Sequence, residues 1–304
     1  VREQRVIDAI VEHLPAKSAR YKPLHRATPA GGRHEFVLLL SDLHAGEVVS
    51  AEETGGFNSY DWGVMLQRLE RLRHGVLSYA EHRATPVTAL RILGLGDMLS
   101  GNIHDELRET NSIPLAEATV QLGLDLADWV EEFVPEFPEV TVDGVVGNHP
   151  REFKKPQSKR KFSNADWTTY QIMRQRLSRS DVRVTIPKAQ RHLVDVLGRR
   201  ILMTHGDSVG PSSMVGVPTG GIVRHVARLR NQYASLGRSF DHFVCGHFHE
   251  PNVYRGKLIL VNGSVIGPNE YGLERFGEAE PPTQLLLPFN EKYGLEGPLY
   301  VDLG

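Results

Sequence analysis

Five short apolar runs in this 304-residue chain each end on a side chain that can bind a metal ion. FVLLLSDLH closes on Asp42 and His44, LRILGLGD on Asp97, VDGVVGNH on Asn148, RRILMTHGD on His205, and FDHFVCGHFH on His247 and His249. Apolar runs of this length, rich in branched residues and followed at once by turn residues, read as buried strands. Between them lie helical patterns: Leu66, Leu69, Leu72, Val76 and Leu77, then Val120, Leu124, Ala127 and Val130, then Ile222, Val223, Val226, Leu229 and Tyr233. Ser163, with Asp166 three residues on, has the pattern of a cap ahead of a further helix through Trp167, Tyr170 and Met173. Strand and helix in alternation predict an α/β fold with much parallel sheet. In such sheets the crevice beyond the carboxyl ends of the strands gathers side chains from distant segments at one point.

The two ends of the chain depart from that alternation. Val6, Ile7, Ile10, Val11 and Leu14 are spaced as an amphipathic helix before Pro15, and the basic, Pro- and Gly-containing stretch that follows reads as a surface crossing. Residues 1–34 are therefore expected to form an N-terminal helix and linker, and residues 35–304 a single domain. Late in the chain, KLILVNGS and PLYVDLG flank the turn-rich GEAEPPTQLLLPFNEKYG, so antiparallel pairs and a long loop are expected there.

Composition narrows the function classes. With 35 Lys and Arg against 37 Asp and Glu, the net charge of -2 predicts neither a nucleic-acid tail nor a general attraction to membranes. The one cysteine, Cys245, excludes an intramolecular disulfide framework and fits a reducing compartment. No apolar stretch has the length of a membrane span, and no signal core is visible, so a cytoplasmic protein is expected. The chain opens on Val1 rather than methionine, which leaves room for an upstream segment.

Each metal-type motif has a plain alternative when taken alone. Gly-Asp and Gly-Asn favour turns, the Asp of His-Gly-Asp can cap a helix, and Asp-x-His occurs by chance. Two imidazoles separated by one residue, as in GHFH, are the strongest single element because both can face a metal site from an extended segment. Occurrence of all five in order, each after an apolar run, favours metal binding. Carboxylate, imidazole and amide oxygen together suit Mn, Fe, Zn, Ni or Co better than Ca or Mg. Seven candidate ligands are more than one ion needs, so two ions with a bridging carboxylate are expected.

SDLH, GLGD, VGNH, THGD and CGHFH resemble the ordered signature blocks of the calcineurin-like metallophosphoesterases over residues 36–265. DLHAGE and GNHPREFKKP also look similar to phosphoesterases of bacteriophages and prophages. The resemblance implies a four-layer αββα sandwich with two central mixed β-sheets and a dinuclear site at one rim. It implies that Asp42, His44 and His249 hold one ion, that Asn148, His205 and His247 hold the other, and that Asp97 bridges them. Phosphate-ester hydrolysis by metal-bound hydroxide follows, with Mn the favoured ion; that the ester is a phosphodiester is expected from the basic segment after the GNH motif. His149 would be catalytic rather than a ligand, stabilising the transition state or protonating the leaving oxygen. Many relatives have an acidic residue directly after that histidine, whereas this chain has Pro150, which leaves Glu152 and Asp207 as candidates to orient the imidazole. Asn102 and His104 fall where relatives often contact substrate.

The substrate must be decided by surrounding segments. Arg151, Lys154, Lys155, Lys159, Arg160 and Lys161 crowd eleven residues directly after the GNH motif. They could neutralise several phosphates of DNA or RNA, with Phe153 and Phe162 available for stacking. A solvated loop is the alternative. A nuclease is the expected activity. A phosphomonoesterase, a small or cyclic nucleotide hydrolase, and an inactive binding scaffold are the other readings.

Overall fold

The computed structural model describes residues 32–156, 158–209, 219–277 and 279–304. The expected N-terminal helix lies outside the described residues. Alternating side chains, one facing each way along a strand, account for most of the architecture. In β1 (His34–Leu40), Phe36, Leu38 and Leu40 point to one hydrophobic cluster, while Val37 and Leu39 point to another. A strand buried on both faces must lie inside a layered structure, and this one does.

The first sheet places β1 beside β2 (Ala89–Gly94), β3 (Val140–Gly144) and β4 (Arg183–Thr185), all parallel. On its other side β1 pairs antiparallel with β10 (Thr283–Asn290), which carries β11 (Gly294–Leu295) and β12 (Leu299–Asp302). The second sheet has five strands: β5 (His192–Val196), β6 (Arg199–Met203), β7 (His242–Cys245), β9 (Ile259–Val261) and β8 (Asn252–Tyr254), in that spatial order. Its central pairs, β6 with β7 and β7 with β9, are parallel, and its outer pairs are antiparallel. Val37, Leu39, Leu93 and Leu285 from the first sheet pack with Val194, Ile201, Val244 and Leu260 from the second. Each sheet's outer face takes helices. α1 (Trp62–Glu81), α3 (Leu115–Glu131) and α4 (Ala165–Arg176) cover the first sheet, and α5 (Thr219–Ser235) covers the second. The short α2 (Asp105–Thr110) and α6 (Glu270–Phe276) sit in loops. The result is the four-layer αββα sandwich with two mixed sheets. No described helix is long and apolar enough to cross a membrane.

Local details correct several sequence expectations. The inner face of α1 runs through Met65, Leu69, Leu72 and Val76, with Leu66 exposed and Arg68 buried. Arg68 turns inward because its guanidinium donates to the carbonyls of Val265 and Ile266 and to Asn58 Oδ1. α3 buries Ala118, Leu122, Leu126 and Trp129, and leaves Val120 and Leu124 half-buried. The cap of α4 is Asn164, not Ser163: its side chain accepts from Asp166 N at 2.8 Å. The stretch read as turn-rich contains β10, an interior strand that includes Pro288. A proline survives there because it falls between the last residue paired with β12, Leu286, and the first paired with β11, Phe289.

A buried polar network joins the sheets beneath the rim. Gln284 Oε1 accepts from Ser41 N and Asn262 Nδ2, while Asn262 Oδ1 accepts from Leu285 N. Ser41 follows β1 in the first sheet and Asn262 follows β9 in the second, so the network sets one sheet's rim against the other. Satisfied buried amides of this kind specify a unique arrangement, because breaking one leaves donors and acceptors unpaired in a low-dielectric interior.

Candidate metal centre

All seven candidate ligands gather at this rim, each from a turn just beyond a strand. Three side-chain groups have ligand atoms within 4.8 Å of one another: Asp42, His44 and His249; Asp97, His205 and His247; and His44, Asp97 and His149. Asp97 belongs to two of them, as a bridging carboxylate would. Asn148 joins the second group, its Oδ1 lying 2.9 Å from His205 Nε2.

The turns that deliver these side chains are strained. Asp42, His44, Asp97, His247 and His249 all have φ between 49° and 74°, the left-handed region that non-glycine residues avoid. Each such residue costs on the order of 1–3 kcal/mol and persists only where its surroundings determine it. Here they do. Asp42 N and His44 N donate to the carbonyls of Gly96 and Asp97, and Val265 N and Ile266 N donate to the Asp42 carbonyl. The motif glycines are required by close approach. A Cβ on Gly147 would lie 2.0 Å from Asp97 Oδ1, and one on Gly246 would lie 2.5 Å from Asp42 Oδ2.

The second group is tightly drawn. His205 Nδ1 donates to the Leu95 carbonyl at 2.9 Å, which turns Nε2 toward Asp97 Oδ2 at 3.0 Å and Asn148 Oδ1 at 2.9 Å. Ligands held about 2.1 Å from one ion at right angles sit about 3 Å apart, so these atoms are spaced as a transition ion requires. Without an ion, a proton does the ion's work. Burial disfavours charge on His205, yet Asp97, Asp42 and Asp207 outweigh it and raise the imidazole to about 10. Burial, followed by the charge on His205, pushes neighbouring His247 down to about 4.

The first group is looser. Both ring nitrogens of His44 are shielded and lack a hydrogen-bond partner among the described residues, and its Nδ1 is 3.5 Å from Glu47 Oε2, an ion-pair distance rather than a good hydrogen bond. Burial opposes charge on His44, but Glu47, Asp97 and Asp42 raise it to about 9. His249 Nε2 lies 3.5 Å from Asp42 Oδ1, with the side chain 21% exposed. Orphaned buried imidazole nitrogens beside ionised carboxylates fit a divalent transition ion.

His149 is set apart by its protonation. Its N–H donates to Asp97 Oδ1 at 2.8 Å, and its Nδ1 donates to the Ser100 carbonyl at 3.1 Å. Burial pushes the imidazole down to about 3, so it is neutral near pH 7 with its lone pair on Nε2. The Ser100 carbonyl takes the orienting role for which Glu152 and Asp207 are the sequence candidates. Glu152 instead accepts from Ser163 Oγ at 3.0 Å, and Asp207 pairs with Lys161 at 2.9 Å.

Of the residues expected to meet substrate, His104 reaches the site: its ring lies 5.2 Å from that of His149. Asn102 is exposed and lines a neighbouring cavity of about 540 Å³ with Arg151 and Lys154. Arg151 folds back, donating to the carbonyls of Asn148, Phe153 and Lys154. Lys154 pairs with Asp105 at 2.9 Å in the open, and Lys155 is exposed. Lys159, Arg160 and Lys161 line a second cavity, about 420 Å³, that reaches Asn148 and Asp207. Phe162 packs against Trp167 with Lys188 over its face, whereas Phe153 is 54% exposed. Two carboxylates escaped the sequence reading, Glu47 behind His44 and Asp166 behind the loop of Asp97. Asp166 acts across the topology, whereas Glu47 lies only three residues beyond His44, where no ligand motif marks it.

The fold and site together define an αββα sandwich with a Asp- and His-rich metal-ligand cluster at one rim. No family model matches the chain, and no curated protein does. Among solved structures it is similar to Vacuolar Protein Sorting 29 from Cryptosporidium parvum, with 16% identity over 85% of this chain and 86% of that one, at a TM-score of 0.37. It is also similar to a Streptococcus pneumoniae protein described as a predicted phosphoesterase (12% identity, 88% and 98% covered, TM-score 0.34) and to an archaeal phosphodiesterase (14%, 87% and 99%, 0.35).

Proposed function

We propose that this chain is a calcineurin-like metallophosphoesterase that uses two divalent transition ions, Mn first among them, to cleave phosphodiester bonds in polynucleotides. The observation that carries the reading is the double membership of Asp97, grouped with His205 and His247 on one side and with His44 and His149 on the other. A bound pair of cations supplies neutralisation of phosphate oxygens and a more acidic water. The chain's own residues do the rest. Asp42 and Asp97, buried yet held below the usual carboxylate range by the surrounding histidines, stay ionised. His149 offers a neutral Nε2, so it accepts a proton first and gives one to the leaving oxygen only after the reaction has protonated it. Lys159, Arg160 and Lys161 border the cavity beside Asn148, where adjacent phosphates of a strand would need counter-charge.

The test compares a bis-ester with a mono-ester chromogenic substrate and with single-stranded DNA, duplex DNA and RNA, all with Mn²⁺. Diester preference with polynucleotide cleavage is expected. A strong monoester preference would reject the nuclease in favour of a phosphomonoesterase. No bound transition metal and no turnover after Mn²⁺ addition would leave a binding scaffold. His149→Ala should lower kcat by about 10²–10⁴-fold while both ions stay bound, and loss of metal along with activity would sink the role given to His149.

A further inference from the structure

We propose that Asp166 is a positioning residue of the metal centre, the buried carboxylate that fixes the turn carrying Asp97 against the turn carrying Asn148 and His149. It stands in the first turn of α4, fully shielded from solvent, and its side chain points away from the helix axis into the rim. Oδ1 accepts from Met98 N at 3.0 Å and Leu99 N at 3.3 Å, in the turn beyond β2. Oδ2 accepts from Gly147 N at 2.9 Å, in the turn beyond β3. One carboxylate thus gathers three backbone donors from two loops. Asp97 answers in the other direction by accepting His149 N, so the two turns are cross-tied twice.

The helix that carries Asp166 is itself held in place. Tyr170, one turn on, fills the space above Gly94 and Gly144, where an added Cβ would meet its side chain at 2.4 and 3.1 Å. Asn164, its cap, donates from Nδ2 to the Gly147 carbonyl at 2.9 Å. A carboxylate suits the position for two reasons. Both of its oxygens accept, matching donors on two sides, and the N-terminal turn of the helix favours negative charge, against the burial and the Asp97 charge that push the carboxyl up to about 7. Asparagine has one acceptor oxygen and would turn its amide hydrogens against a backbone N–H. Outer partners of this kind tune metal affinity through the ligands they hold. The inference rests on the metal-centre reading above, and is indifferent to which ester is cut.

The experiment is calorimetric titration of Mn²⁺ into metal-free wild type, Asp166→Asn and Thr169→Val. Thr169 is equally buried in the same helix, but its hydroxyl donates to the Thr119 carbonyl, away from the centre. Asp166→Asn should weaken Mn²⁺ binding roughly 10–100-fold and lower kcat with KM for a diester unchanged. Thr169→Val should lower the melting temperature and leave both Mn²⁺ affinities alone. Wild-type affinities in Asp166→Asn would overturn the inference while the metal centre stands. Wild type that takes up no Mn²⁺ would remove the centre, and the inference with it. Should Asp166→Asn fail to fold, amide hydrogen exchange of metal-free wild type decides. The Met98 and Gly147 amides must exchange as slowly as those within β2 and β3, and exchange at the rate of an open loop overturns the assignment.

Discussion

The two halves of the centre are built to different standards. Around His205 the ligand atoms are already 2.9–3.0 Å apart, one imidazole nitrogen is locked to the Leu95 carbonyl, and the turns behind are tied through Asp166. Around His44 both ring nitrogens are orphaned, the nearest carboxylate behind it is at 3.5 Å, and His249 stands 3.5 Å from Asp42. The first arrangement would lose little freedom on taking up an ion, whereas the second would have to close around one. Preorganisation is worth affinity because the ordering cost has been met during folding. On the two-ion reading proposed above, the halves should therefore differ in how tightly they hold metal, although their donor types are nearly the same.

The sharpest way to break that contrast uses two histidines on one turn. His247 belongs to the tight group and His249 to the loose one, and both are reachable from solvent. In stepwise Mn²⁺ titrations, His247→Ala should weaken the tighter equilibrium by more than the roughly 10–100-fold typical of an outer-sphere loss. His249→Ala should leave that equilibrium in place and abolish the weaker one. Two equal wild-type affinities, or the reverse assignment, would refute the contrast.

A smaller effect appears in the stability of the metal-free protein. His205 and His44 are raised from 6.5 to about 10 and about 9. Each binds its proton more tightly when folded, so the stability it adds is complete below pH 6.5 and is lost as pH rises through 9 and 10. His149 and His247, lowered to about 3 and about 4, add stability that is present above pH 6.5 and disappears as pH falls through 4 and 3. Melting temperatures of the metal-free protein should accordingly fall on both sides of pH 6.5. Saturating Mn²⁺ should flatten the alkaline limb, because the ion takes over from the protons on His44 and His205. An alkaline slope unchanged by Mn²⁺ would mean that those imidazoles do not face the ion.

The contrast also explains which parts of the molecule the sequence discloses. Ligand chemistry admits few residue types, and a sheet rim places them directly after apolar runs, so Asp42, His44, Asp97, Asn148, His205, His247 and His249 are all visible as a pattern. Sheet layering is visible too, since FVLLL buries both faces and demands covers on each. Asp166 and the Ser100 carbonyl act across loops brought near by topology, Glu47 meets His44 three residues away with no ligand motif to mark it, and the local pattern around Asp166 is that of an ordinary helix start. Arg68 is hidden for the opposite reason: in a helical pattern it reads as surface, and only the carbonyls of Val265 and Ile266 show why it is inside. β10 is obscured by Pro288, whose tolerance depends on two partner strands that meet beside it.

The smallest effect concerns the basic segment, which lies against the tight half. Lys161 is tied to Asp207, two residues from His205, so its end of the segment is anchored beside that ion position. Lys159 and Arg160 are exposed and border the cavity that reaches Asn148. On a polynucleotide, as proposed above, their charges would act through screened solvent, where each neutralised phosphate contact changes the salt dependence by nearly one ion. Replacing both by Gln should leave the two Mn²⁺ affinities and the rate on a small bis-ester unchanged. On single-stranded DNA it should raise KM a few-fold, as the loss of about two phosphate contacts predicts, and reduce the slope of log(kcat/KM) against log salt by roughly 1.4. Replacing Lys161 by Gln should raise KM on single-stranded DNA more than replacing either neighbour alone, because it also leaves the Asp207 carboxylate without its lysine beside His205. Identical salt slopes in wild type and the double variant would detach the segment from substrate and leave the tight half of the centre without a polyanion track.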